Sequence, residues 1–164
     1  MHSTLQLEGL AVTTHDELKI ALPVDAFQLA DSCELDLTPV SRFEESFDGR
    51  EVKYNGFAPH RHQQAFVALC VARYLLQRGG YYPDYMAVTQ LARALMLPWD
   101  QFIRDLKKRC GIAALRKLHP HVPTQLICAR IGDVHSVKTS GVLAQLGSLQ
   151  ELGAASRLLA LAAR

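Results

Sequence analysis

The chain has 164 residues, of which 49% are hydrophobic and 21% charged, with a formal net charge of +2. That balance excludes wholesale disorder, because it supplies enough apolar surface for a core. It also excludes a bilayer span, because no apolar run is long enough. The charge is unevenly placed: residues 1–49 hold ten acids against Lys19 and Arg42, and residues 50–133 hold thirteen Lys or Arg against five acids. A basic middle of this kind can bind a polyanion through counterion release, or it can pack on the acidic front and be neutralised there. The start "MHSTLQLEGLAV" lacks the basic head and continuous apolar stretch of a signal peptide. Cys33, Cys70, Cys110 and Cys128 stand far apart with no C-x-x-C pair, which suits reduced thiols in a cytoplasmic protein.

In chain order, "TLQLEGLAV", "ELKIALPV", "CELDLTPV" and "REVKYNGF" carry short or alternating apolar runs and predict a small, mainly antiparallel sheet. "VDAFQLADSC" between them suits a helical turn, and Asp48-Gly49 in "FDGREV" is a hairpin-turn signal. At Pro59 the period changes. "HRHQQAFVALCVARYLLQRGG" predicts a helix closed by Gly79-Gly80, "YYPDYMAVTQLARALML" a second, and "PWDQFIRDLKKRCG" a third that ends on Gly111. "IAALRKLHPHVP" adds a helical turn or two. "TQLICARIGDVHSVKTS" reads as two β-rich segments about Gly132-Asp133, hence a hairpin. The Leu- and Ala-rich end is helical by composition, although Gly141, Gly147 and Gly153 weaken it. The expected order is sheet, three helices, hairpin and C-terminal helix. It divides the chain into an acidic β-rich region 1–49, a central domain 50–140 and a C-terminal helix 141–164.

The third helix carries the main functional signal. At 100° per residue, Trp99, Phe102, Ile103, Leu106 and Cys110 fall within an arc of about 100°. Gln101, Arg104 and Lys108 lie opposite, flanked by Asp105 and Lys107. An outward Gln-Arg-Lys stripe on a short helix can read a major groove: Gln reads adenine, Arg reads guanine and Lys holds phosphate. A charged outer face is equally the ordinary solvated side of an amphipathic helix.

The "FDGREVKYNGF" hairpin, the helices ending "YLLQRGG", "VTQLARAL" and "QFIRDLKKRCG", and a terminal hairpin together resemble the winged-helix effector domain of OmpR-type regulators. The resemblance covers about residues 45–140 by pattern. It implies an α+β fold: a small antiparallel N-terminal sheet, a three-helix winged helix-turn-helix with a C-terminal β-hairpin wing at 125–138, then a C-terminal helix. It implies a sequence-specific, double-stranded DNA-binding transcriptional regulator. Gln101, Arg104 and Lys108 would contact DNA, Lys107 and Arg109 its backbone, and Arg130 or Lys138 on the wing a phosphate. Arg116 and Lys117 in "AALRKL" form a rival groove-reading element.

The remaining constellations are weaker. His60/His62 and His119/His121 make two His-x-His pairs, a usable metal geometry on strands. Both lie beside prolines at helix ends, where polar histidines are common, so no metal or other cofactor is expected. There is no phosphate loop, nucleophile elbow or separated carboxylate pair, and an enzyme is not expected. Leu143, Leu146, Leu149, Leu152, Leu158, Leu159 and Leu161 offer more apolar surface than a solvated tail exposes. Such a segment either folds back on the core or pairs with another copy, and a homodimer through the C-terminal helix, with no membrane partner, is expected. The alternative class is a non-enzymatic protein-interaction or adaptor module that keeps the winged-helix shape without binding DNA.

Overall fold

A computed structural model of the chain describes residues 4–108 and 111–139. Seven helices and three strands are formed among them: α1 (Thr4–Leu18), α2 (Ala26–Ser32), β1 (Asp36–Val40), β2 (Ser46–Asp48), β3 (Glu51–Asn55), α3 (His60–Arg78), α4 (Tyr85–Met96), α5 (Trp99–Lys108), α6 (Ile112–Leu118) and α7 (Thr124–Thr139). A 3-10 turn at Arg42–Glu44 joins β1 to β2.

The first correction is at the front. "TLQLEGLAV" is not a strand but most of α1. Leu5 and Leu7 suggest alternation, yet the buried side chains are Leu7, Glu8, Ala11 and Thr14, whose three- and four-residue spacing is helical. The helix lies on α4, and Lys19 turns the chain out of it at a positive φ of 51°. "VDAFQLADSC" becomes α2, started by Asp25, whose carboxylate accepts from the Phe27 and Gln28 N–H groups. The sheet is three-stranded, mixed and ordered β1-β3-β2, with β1 parallel to β3 and β2 antiparallel to it. Leu37 and Phe47 flank the fully buried Val52. A hairpin forms at the Asp48-Gly49 signal, with Gly49, at φ 79°, and Arg50 as the loop between the paired Asp48 and Glu51.

Helices α3, α4 and α5 form where the sequence places them. Gln64, Val67, Ala68, Val71, Ala72, Leu75 and Leu76 bury one side of α3. Asp84 caps α4 by accepting from the Ala87 N–H at 2.8 Å. Leu91, Ala92, Leu95 and Met96 carry α4 into the core, between α1 and α3. Pro98 separates α4 from α5, and Trp99, Phe102 and Ile103 point inward as their spacing requires.

The second correction removes the winged helix. Residues 125–138, expected as the wing, lie within the single helix α7, which continues through Gly132-Asp133. Ile127, Arg130 and Val134 are its buried stripe, at helical and not strand spacing. With a helix in place of the leading strand, a mixed sheet in place of the antiparallel one and a helix in place of the wing, the expected fold is not formed. The proposed C-terminal helix 141–164 lies outside the described residues. Among the described residues no helix is long and apolar enough to cross a membrane.

Candidate functional site

The residues singled out for DNA contact separate into three groups. Arg104, Lys107 and Lys108 on α5 and Arg116 and Lys117 on α6 are exposed, on two helices that touch each other. Lys138 falls on α7 instead of a wing, and Arg109 lies outside the described residues. Arg130 is the clear departure.

Arg130 is fully buried, so it cannot reach a phosphate. One guanidinium N–H donates to Glu8 Oε2 at 2.8 Å and another to Glu8 Oε1. Its Nε donates to the Leu97 carbonyl at 3.1 Å, and the group lies 5.0 Å over the Trp99 ring. A buried charge needs this full set of partners, because desolvation otherwise outweighs what the pair gains. The cation read as a wing contact is an internal bracket between α7, α1 and the α4–α5 turn.

Gln101 also has a structural task. Its amide nitrogen donates to both oxygens of Asp105 at 3.0 Å, while its carbonyl accepts from Arg104 Nη2 at 3.1 Å. Reading a base edge would require breaking these bonds, so Gln101 positions Arg104 instead. Asp105 is itself buried, 3.1 Å from His119 Nε2. Burial lowers the His119 pKa, partly opposed by Asp105.

The five exposed cations are set apart by sharing two adjoining helices, since Lys19, Arg42, Arg73 and Arg78 are also exposed and join no ion pair among the described residues. Arg50 pairs with Glu34, Lys53 with Glu51, Arg93 with Asp133 and Arg130 with Glu8. Arg104, Lys107, Lys108, Arg116 and Lys117 join no ion pair among the described residues, and Asp100 is the exposed acid beside them. The acidic front thus neutralises part of the basic middle, through Glu8 and Glu34, but leaves this face uncovered.

The histidine pairs do not act as pairs. His119 is buried near the Phe102 ring, whereas His121 leaves it and meets His60 from the start of α3. No local spacing signals that meeting, because the two residues are 61 positions apart. The cysteines divide as well. Burial pushes the Cys33 thiol up to about 11 and the Cys70 thiol up to about 12, so both stay protonated packing groups, but Cys128 is exposed on α7.

In comparisons with known proteins, no family model, curated protein or solved structure matches the chain.

Proposed function

We propose that the chain is a cytoplasmic, non-enzymatic protein that binds double-stranded DNA through the outer face of α5 and α6, as a transcriptional regulator would. The supporting observation is the group of exposed, unpaired cations Arg104, Lys107, Lys108, Arg116 and Lys117 on two adjoining helices. Exposed cations in no ion pair are available to displace counterions from phosphates. Phosphate contacts carry the affinity in this reading, because Gln101 is occupied internally and residues 125–138 are helical. The Leu-rich segment 141–164 supplies the contact for a homodimer, which doubles the DNA site.

The test is binding to a generic fluorescent duplex across a salt series, with a Lys107→Ala/Lys108→Ala/Lys117→Ala variant alongside. Wild-type affinity should fall steeply with salt. The variant should bind more weakly with a shallower slope, by about 0.9 for each phosphate that it no longer neutralises. Equal binding by both proteins, or none at low salt, discards the proposal.

A second reading, a protein-interaction module, is supported by Tyr82, Tyr85 and Met86. These are 78%, 79% and 68% exposed around the start of α4, more apolar surface than one turn usually leaves to solvent. Loss of partner binding on Tyr85→Ser/Met86→Ser, with DNA binding absent in the parent, would favour it.

A further inference from the structure

Three segments distant in sequence bring Asp25, His60 and His121 together, with one potential ligand atom from each within 4.8 Å of the others. Asp25 is the N-cap of α2, His60 is the first residue of α3, and His121 lies in the connection between α6 and α7. His60 Nε2 is 3.2 Å from His121 Nδ1. Two ligands held about 2.05 Å from a tetrahedral ion stand about 3.3 Å apart, so the imidazole nitrogens already have the separation that zinc requires.

The surroundings fix each donor. Buried Gln64 accepts from the Ala26 N–H through Oε1 at 2.6 Å, which turns its amide nitrogen toward His60 Nε2 at 3.3 Å. A ring nitrogen has one lone pair, so a metal on His60 Nε2 takes the place of this contact and leaves the Gln64 amide to the Asp25 carboxylate, its other partner. The Phe27 ring lies nearly parallel to His60, at 8° and 6.3 Å, and Tyr54 meets Phe27 edge-on. Asp25 Oδ1 is oriented by the Phe27 N–H at 2.8 Å. Arg61 donates to the Pro120 carbonyl at 2.8 Å and reaches toward that of Arg116, which pins the His121 connection against the start of α3. A direct imidazole–imidazole hydrogen bond would explain the two histidines alone. A metal ion would also engage the Asp25 carboxylate, which caps α2 through Oδ1 and lies on the same spot. Outer contacts of this kind orient ligands and strengthen metal sites.

We infer that Asp25, His60 and His121 form a binding site for one divalent borderline metal ion, zinc by ligand chemistry, with solvent completing its coordination. Two imidazoles and a carboxylate suit zinc and cobalt better than the harder calcium or magnesium. Such a site is independent of DNA binding.

The test uses the full chain, stripped with a chelator and then titrated with Zn2+ against a chromophoric competitor. It uses wild type, His121→Ala, Asp25→Asn and the control His62→Ala, with folding of each checked by circular dichroism. One equivalent should bind to wild type and to His62→Ala, and His121→Ala should bind at least about tenfold more weakly. Asp25→Asn retains a capping side chain but weakens the third ligand, so its affinity should also fall. Co2+ in the wild-type protein gives a reading independent of any variant: intense visible bands of a low-coordinate nitrogen and oxygen site, without a thiolate charge-transfer band. Absence of stoichiometric binding, equal affinity in His121→Ala and wild type, or a thiolate band would overturn the inference.

Discussion

His15 sits in the last turn of α1 with Nε2 2.7 Å from the Leu95 carbonyl of α4. A carbonyl only accepts, so this nitrogen carries a hydrogen in the folded protein. Burial lowers the pKa of the ring from its ordinary 6.5, with partial opposition from the Leu95 carbonyl and from Asp16. The unfolded chain therefore takes up the proton more readily than the folded one. The stabilisation due to neutral His15 is complete above the unfolded-state value and is lost as pH falls through it toward the folded value. Urea midpoints measured from about pH 7 down to about pH 5 should fall more steeply for wild type than for His15→Gln. Parallel curves would show that His15 titrates alike in both states. Burial likewise separates residues of one type that look alike in sequence. Arg104 and Arg130 each stand in a helical run with apolar neighbours, but one faces solvent and the other is closed in by Glu8, Leu97 and Trp99. Nothing local to either arginine marks the difference, because the partner of Arg130 lies 122 positions away.

At the level of elements, the helices whose ends carry strong backbone signals were legible. Gly79-Gly80 closes α3, Asp84 caps α4, and Pro98 divides α4 from α5. The elements whose sequences read as strands, α1 and α7, contain mixed periods, and α7 does so despite Pro123 directly before it. In α7 the β-branched Ile127, Ile131 and Val134 around Gly132-Asp133 imitate a hairpin, but helical spacing places them along the buried side. Gly132 offers a direct check. A Cβ added there meets nothing within 4 Å, and the backbone is helical. Gly132→Ala should therefore raise stability by about 0.5–1 kcal/mol, as Ala replaces Gly in a helix interior. In a glycine-dependent hairpin turn the same change would destabilise. Equilibrium denaturation decides by sign alone.

Across the whole molecule, the Glu8–Arg130 pair joins the first helix to the last described one, and Arg93 draws α7 onto α4 through Asp133 at 3.0 and 3.1 Å. Glu8→Ala should cost about 3–5 kcal/mol, because it strands a buried guanidinium. Glu8→Leu/Arg130→Met should recover at least half of that loss, since an apolar pair of similar volume carries no desolvation penalty. Urea unfolding of the single and double variants measures both. A loss below about 1 kcal/mol in Glu8→Ala would be typical of a solvated pair and would refute the bracket.

By itself the sequence determined the central helices, the Asp48-Gly49 hairpin, the inward face of α5 and the basic character of residues 104–117. Each follows from interactions between residues a few positions apart: capping, turn conformation and amphipathic spacing. The tertiary structure alone decided that both ends of the described chain are helical, that Arg130 is internal, and that Asp25, His60 and His121 converge. Those outcomes depend on desolvation and on partners supplied from remote segments. A buried cation is tolerated only where a carboxylate arrives to meet it, and ligand atoms converge only where packing brings their helices together.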